Sequence, residues 1–393
     1  MKNILLCDAN FCVLPIVQSI MSKRYTLSVV GSLLSDPAHE IADKSIPINY
    51  SDVDVLYNHI LKESYDYIVP GCNDRSYLSL AKIAEKLNYP GFDKYETVLT
   101  IHHKDKFKKI AKKHNYPVPR AVNEFSEINN LKFPIIIKPV DSFSGKGTNK
   151  VEKIEDVQKY WDEAKEFSTT GDIVAEEFVE GKLYSHSAFI KNKKIVIDFF
   201  VNEYCTVYPY QVNSSNIATK LSKKVQEGLR EWTEQFAQDL DLVDGLVHTQ
   251  FISDNDIFSL IEIARRCPGD LYSQLIQKST GVNYAELYSM PFIGEELPDS
   301  LSKYKKHFSR HTVSVDKECI FVSSGVNLEA KNIQNIQLKY SGQKMEPAPF
   351  DKSGIYFIEH DSAKEMEEKT ENLKDYIILE TLELPLKDKN AKL

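Results

Sequence analysis

The chain has 393 residues, 42% of them hydrophobic and 27% charged, with a formal net charge of −8. That length is too great for one compact core and predicts two or three domains, and the composition excludes wholesale disorder. The acidic balance argues against a general nucleic-acid binder, and no apolar run approaches the ~20 residues that cross a bilayer. The six cysteines (Cys7, Cys12, Cys72, Cys205, Cys267, Cys319) are scattered with no CxxC pair. They point away from a zinc site and toward a reducing compartment. The first residues, MKNILLCDANF, reach Asp8 before any secretory leader could form. The expectation is a soluble cytoplasmic protein.

In chain order, Asn3 to Leu6 reads as a buried strand, Ile16 to Met21 as a helix, and Thr26 to Gly31 and Ile46 to Ile48 as further strands. Val53 to Glu63 is amphipathic, and Tyr67 to Pro70 is a strand stopped by Gly71. This alternation predicts an open parallel sheet with helices on its faces, whose ligands lie beyond the carboxyl ends of the strands. Asp8, Asn10, Asn73 and Asp74 fall at such ends, and Asn73 serves equally well as a helix N-cap. No GxGxxG follows the first strand, so a dinucleotide fingerprint is absent. Pro90-Gly91 closes this first region.

Asp105 to Lys113 is a basic helix stopped by Tyr116-Pro117-Val118-Pro119. A run of lysines there reads first as a solvated face. Lys104 at its start is disfavoured by the helix dipole, which hints at a further task. Phe133 to Pro139 is a strand carrying Lys138, and it leads into the loop DSFSGKGT at 141–148. Small residues let backbone N–H groups close on phosphate oxygens, and the lysines add charge. A Walker A reading fails, because Val140 stands where the first glycine is required and a strand, Asn149 to Ile154, follows. The same loop would also serve as a plain hairpin turn. Then come a helix (Asp156 to Phe167), the strand Ile173 to Gly181, strands at Tyr184 to Ile190 and Lys194 to Val201, and a helix over Lys220 to Leu240.

Gly245 to Leu271 reads as a hairpin turning at Asp254-Asn255-Asp256. A turn centred near Asp256 sets Gln250 opposite Glu262, with His248, Ala264 and Arg266 on the same face. An amide oxygen and a carboxylate suit Mg²⁺, a hard cation that shares its shell with substrate phosphates. The guanidinium suits a developing anion. An ordinary hairpin with one surface ion pair remains the alternative. Helices at Asp270 to Thr280 and Asn283 to Met290 follow. Beyond Leu301, short strands (Thr312 to Val315, Ile320 to Val322, Ile355 to Ile358, Tyr376 to Leu382) surround a charged helix at Ser362 to Leu373.

Four stretches together resemble the ATP-grasp superfamily of carboxylate–amine ligases: Lys104 with Pro117 thirteen residues on, FPIIIKPVDSFSGKG, VAEEFVEG and LIEIARRCPGD. The likeness runs from the N-terminus to about residue 290. It implies an α/β and α+β chain: an open parallel-sheet (pre-ATP-grasp) domain over residues 1–93, an ATP-grasp domain over 94–300 with a mobile lid near 122–182, and an α+β part over 301–393. It implies that Lys104 and Lys138 hold the nucleotide phosphates and that Ser144, Gly145, Lys146 and Gly147 cover them. Glu176, Glu177, Phe178 and Val179 would be the adenine hinge, Gln250 and Glu262 the ligands of Mg²⁺ (or Mn²⁺), and Arg266 the stabiliser of the acyl phosphate and tetrahedral intermediate. Three positions depart from the family: Gln250 stands for a Glu, Ala264 for an Asn, and Leu183 for the ribose-binding Glu, with Ser185 or His186 as its replacement.

The resemblance implies ATP with Mg²⁺ as cofactors, and a small-molecule carboxylate and amine as substrates, amino acids first among them. It implies a homodimer, and neither a nucleic acid nor a membrane as partner. Its alternatives are carboxylase or carbamoyl-type activation of bicarbonate, and an ATP-binding regulatory module without turnover.

Overall fold

The computed structural model describes residues 2–142 and 145–384. The described chain divides into two compact units, one formed by residues 2–142 with 147–202 and 220–305, the other by Gly145, Lys146, 203–219 and 306–384. The mixture of one parallel sheet with antiparallel sheets is the α/β and α+β combination expected.

In the first unit, Asn3–Cys7, Thr26–Val30, Lys44–Ile46 and Tyr67–Pro70 form the parallel sheet, with Asn3–Cys7 between Thr26–Val30 and Tyr67–Pro70. Ile4, Leu5, Leu6, Leu27, Val29, Ile68 and Val69 are fully buried, as strands covered on both faces must be. Helix Val53–Glu63 has the bounds its periodicity gives and is capped by Asp52, which accepts from the Val55 N–H. Asn73 caps the helix Asp74–Leu87 by accepting from the Ser76 N–H. Gly71 lies so close to Asp8 that a Cβ on it would stand 2.2 Å from the Asp8 Cβ. Only glycine lets these two strand ends converge.

A four-stranded antiparallel sheet follows, in the order Ala121–Val122, Ile173–Glu177, Ile135–Pro139, Asn149–Val151. Helix Val157–Glu166 covers it with Val157, Trp161 and Ala164. Then Lys182–Lys191 pairs on one side with Lys194–Tyr204 and on the other with Gly245–Asp254, whose hairpin partner is Ile257–Ala264. Lys220 to Ser222 lie outside the next helix, which runs Lys223–Asp239 because the Ser222 side chain caps it at Val225.

The hairpin register holds a correction. Asp254 pairs with Ile257, so the turn is two residues long and centred one half-residue earlier than expected. Carried inward unbroken, that register would place Gln250 opposite Ile261. A bulge at Ile261 absorbs one residue, so that Phe251 pairs with Leu260 while Gln250 pairs with Glu262 and His248 with Ala264. The expected pairing is therefore present, but the bulge creates it.

Arg265, beside Arg266 but on the other face, is 2% exposed. Its Nε donates to Asp93 at 2.8 Å, Nη1 to the Leu246 carbonyl at 2.8 Å and Nη2 to the Val243 carbonyl at 2.7 Å. This buried, fully satisfied cation fastens the end of the hairpin.

In the second unit, Ser214–Ile217, Phe308–Val313, Gly354–Glu359 and Asn332–Gln337 form one antiparallel sheet. Lys344–Met345, Cys319–Val326 and Ile377–Leu382 form another. Asn332–Gln337 (NIQNIQ) is exposed along its whole length and so carries no apolar alternation that would mark it as a strand. His311 is buried, with its Nδ1 at 2.7 Å from the Ser214 hydroxyl, and burial, with Arg310 adding repulsion, pushes its pKa down to about 3.

Two stability measurements follow. Arg265→Ala strands the buried Asp93 carboxylate and is expected to cost about 3–5 kcal/mol in denaturant unfolding; a loss under about 1 kcal/mol would show that the clamp carries no load. For His311, the native imidazole stays neutral while the unfolded one binds a proton below about pH 6.5, so its stability contribution is complete above that pH and declines as pH falls toward about 3. Replacing His311 with Gln is expected to flatten the stability–pH curve between pH 6.5 and 4.

Candidate active site

The hairpin presents its polar face on one side of the sheet. Gln250 and Glu262 are direct cross-strand partners, and Ser185 pairs with Gln250 and Ser187 with His248 on the neighbouring strand. Alternation therefore gathers Ser185, Ser187, His248, Gln250, Glu262 and Ala264 on one face. Ser187 Oγ lies 2.8 Å from His248 Nδ1, 3.3 Å from the Tyr272 hydroxyl and 3.1 Å from the Tyr284 hydroxyl. Burial, with Arg266 and His186 adding to it, pushes His248 down to about 3, so this imidazole is neutral at working pH.

Helix Lys104–His114 meets this face with its first residue. Lys104 Nζ is 3.5 Å from Glu262 Oε1 and donates to the Ser142 carbonyl at 2.9 Å. One turn later, Lys108 Nζ lies 3.3 Å from Glu176 Oε1, the oxygen that also sits 3.0 Å from Lys138 Nζ. Lys108, Lys138 and Glu176 are 8%, 7% and 3% exposed. Burial works against the Glu176 carboxylate, but the two ammonium groups outweigh it and hold its pKa below the usual range.

At the hinge, the Glu177 N–H donates to the Arg120 carbonyl at 2.9 Å and the Phe178 N–H to the Pro134 carbonyl at 3.0 Å. These bonds fix the backbone that continues to Val179. The Glu177 carboxylate turns outward, accepting from the Lys132 N–H at 3.0 Å.

Arg266 is held by Asp74, the first residue of a helix that begins at the carboxyl end of the parallel sheet. Nε lies 3.3 Å from Oδ1 and Nη2 3.2 Å from Oδ2, a two-point grip that fixes the plane of the guanidinium. His102 Nδ1 reaches Asp74 Oδ1 at 2.8 Å while its Nε2 accepts from the Arg265 N–H at 3.3 Å, which sets the tautomer. Burial opposes the Asp74 charge, yet Arg266 and His102 hold its pKa far below the carboxylate range.

The structure thus gathers Lys104, Glu262 and Gln250 in one place, Lys138 and Glu176 in a second joined to it by one helix face, and Arg266 on an anchor from the first sheet. His186 is a correction. It pairs with Thr249, whose parity is opposite to Gln250, and it is fully buried with Nε2 3.2 Å from Asp198 and Nδ1 3.4 Å from Thr233. It faces the helix Lys223–Asp239 and cannot reach a ribose on the hairpin's polar face. Ser185 has the right parity, though its hydroxyl sits 3.2 Å from that of Tyr272. Ser144 lies outside the described residues. Gly145 and Lys146 belong to the second unit, where the Gly145 carbonyl accepts from the Tyr208 hydroxyl and Lys146 Nζ stands 5.0 Å from the Phe350 ring centre. Gly147, at φ 70°, packs on Phe167. Lys108 was missed: in KKIAKK it looks like one more solvated lysine, and only its spacing of four from Lys104 could have marked it.

Gln250 and Glu262 supply two hard oxygens, and Ala264 supplies none. Among the described residues no cluster of three His, Cys, Asp or Glu could hold a metal. This donor set fits a magnesium ion whose remaining ligands are phosphate oxygens and water, rather than one caged by protein alone.

Residues 101–269 match the family model of the ATP-grasp domain, and the chain therefore carries an ATP-grasp domain. Among particular relatives, it is 30% identical over 152 residues to the formate-dependent phosphoribosylglycinamide formyltransferase of Methanocaldococcus jannaschii, covering 36% of this chain and 39% of that protein. A formyltransferase of the same name from Prochlorococcus marinus subsp. pastoris is 25% identical over 351 residues, covering 82% of this chain and 84% of that one. The chain spans about two fifths of the length of several of the relatives it matches. In three dimensions it is similar to the L-amino acid ligase of Bacillus licheniformis, with a TM-score of 0.80 at 17% identity over 97% of this chain and 98% of that one. That likeness speaks for the fold. Among the described residues no helix is long and apolar enough to cross a membrane.

Proposed function

We propose that this chain is an ATP-dependent carboxylate–amine ligase, forming an amide through an acyl phosphate. The observation that carries the reading is Lys104 standing 3.5 Å from Glu262 while the same helix face reaches the Lys138–Glu176 pair. A phosphate-binding cation and a metal-binding anion occupy one place, the arrangement a Mg–triphosphate needs. The domain division into 1–93, 94–300 with a lid near 122–182, and 301–393 belongs to the same reading.

A carboxylate oxygen attacks the γ-phosphorus of ATP, the bond to the bridging oxygen breaks, and ADP leaves. The amine nitrogen then attacks the acyl carbon, the bond from that carbon to the phosphate's bridging oxygen breaks, a proton is lost, and amide and phosphate remain. Lys104 and Lys138 hold the phosphates, Gly147 closes over them, and the backbone of Glu177 and Val179 holds the adenine ring. Gln250 and Glu262 would hold the magnesium ion, which when bound neutralises charge on the transferring phosphate. Arg266, kept in plane by Asp74, meets the oxyanion of the tetrahedral intermediate. Positioning and charge neutralisation supply most of such catalysis.

Two substrate pairs have support. The fold likeness to an amino acid ligase favours two amino acids. The longer sequence match to formate-dependent enzymes favours a small carboxylate such as formate with an amine on a phosphorylated sugar. A second copy of the chain is the partner the family likeness suggests. An ADP-release screen over amino acid pairs, and over formate with ribosyl amines, is expected to find turnover with one of the two sets. Glu262→Gln and Arg266→Ala are each expected to slow that turnover by an amount equivalent to ~2.7–4 kcal/mol of barrier, with circular dichroism unchanged. Full activity in both variants would remove the site assignment, and ATP binding without ADP release for every pair would favour a regulatory module.

A further inference from the structure

The cluster around Glu176 holds more positive charge than the protein itself can use. One buried carboxylate is shared by two buried ammonium groups, both at the same oxygen. Lys138 alone would neutralise Glu176. Lys108 is 8% exposed, and although it lies within ion-pair distance of Glu176, its Nζ makes no aligned hydrogen bond. Leaving a cation in that state carries a desolvation penalty, so a lysine buried only to balance Glu176 would be a poor solution. A charge held this way is best accounted for by an anion that arrives from outside.

Resting on the ligase reading, we infer that Lys108 is a positioning residue of the nucleotide site. Its ammonium competes for Glu176 and so keeps that carboxylate from neutralising Lys138, leaving the buried cluster at a net charge of +1 that a nucleotide phosphate completes. The direction of approach is given by the helix. Lys104, one turn earlier, faces the Ser142 carbonyl and Glu262, so the missing anion lies along the same face. The charged groups that face Lys108 are Glu176 and Lys138 from the two antiparallel strands, and Lys104 and Lys112 stand one turn to either side on its own helix. Burial pushes the Lys108 pKa down to about 8, against the pull of Glu176 and with the help of Lys138. Above that pH the cluster loses its surplus charge.

The experiment is calorimetric titration of ATP, ADP and adenosine into the full chain, its K108M variant and its K108R variant, each at pH 7 and pH 9. Loss of a charge-assisted contact is expected to weaken ATP and ADP binding to K108M by about tenfold or more, with adenosine affinity unchanged. Wild-type affinity for ATP should fall between pH 7 and pH 9. K108R, whose charge does not titrate in that range, should bind like wild type and stay level. Equal ATP affinity in K108M and wild type overturns the inference, as does an equal loss of adenosine binding, which marks a purely structural lysine. A wild-type chain that binds no nucleotide at all brings down the ligase reading itself, and the inference with it.

Discussion

Everything at the site depends on two lysines spaced four apart on one short helix. At that interval they share a face, and each meets an acid from a different sheet: Lys104 meets Glu262 of the hairpin, Lys108 meets Glu176 of the antiparallel sheet that precedes it. Glu176, 3% exposed, would not tolerate its position alone, since a carboxylate taken out of water needs a cation close by; Glu262 keeps 40% of its side chain exposed. The helix is thus an electrostatic strut. It fixes the distance between the place where a metal ion suits the donors and the place where Lys138 waits.

The central sheet of the first unit divides polar labour between its faces. One carries Ser185, Ser187, His248, Gln250 and Glu262, with hydroxyls and a neutral imidazole linked to Tyr272 and Tyr284. The other carries His186, bound to Asp198, which also takes the Arg230 Nε at 2.7 Å. Both faces are rich in residue types that chemistry uses. Position in the alternation separates the set proposed to work from the structural one, and the same logic separates Arg266 from Arg265.

Much of this was legible beforehand. Alternating apolar runs gave the parallel sheet, and the Val53–Glu63 helix and Tyr67–Pro70 strand came out with their observed bounds because caps and glycines mark their ends. The cross-strand meeting of Gln250 with Glu262 was also readable. What stayed hidden has physical reasons. NIQNIQ lacks a buried face and therefore a pattern. Lys108 is indistinguishable from its neighbours until tertiary packing buries it. Asp74 looked like part of a helix start, and its second task, gripping Arg266, joins residues 192 apart. His186 was proposed by nearness along the chain to Leu183, where parity should have excluded it.

The bulge at Ile261 has an implication for how this hairpin tolerates change. It acts as a phase shifter between tip and base: outward of it, side chains alternate to suit a two-residue reversal, and inward of it they alternate to suit the reacting groups. Flattening the bulge without removing a residue would slide the inner strand by one step, set Ile261 opposite Gln250 and turn Glu262 toward the helix-covered side beside Thr249, emptying the polar side of its acid with no change in sequence.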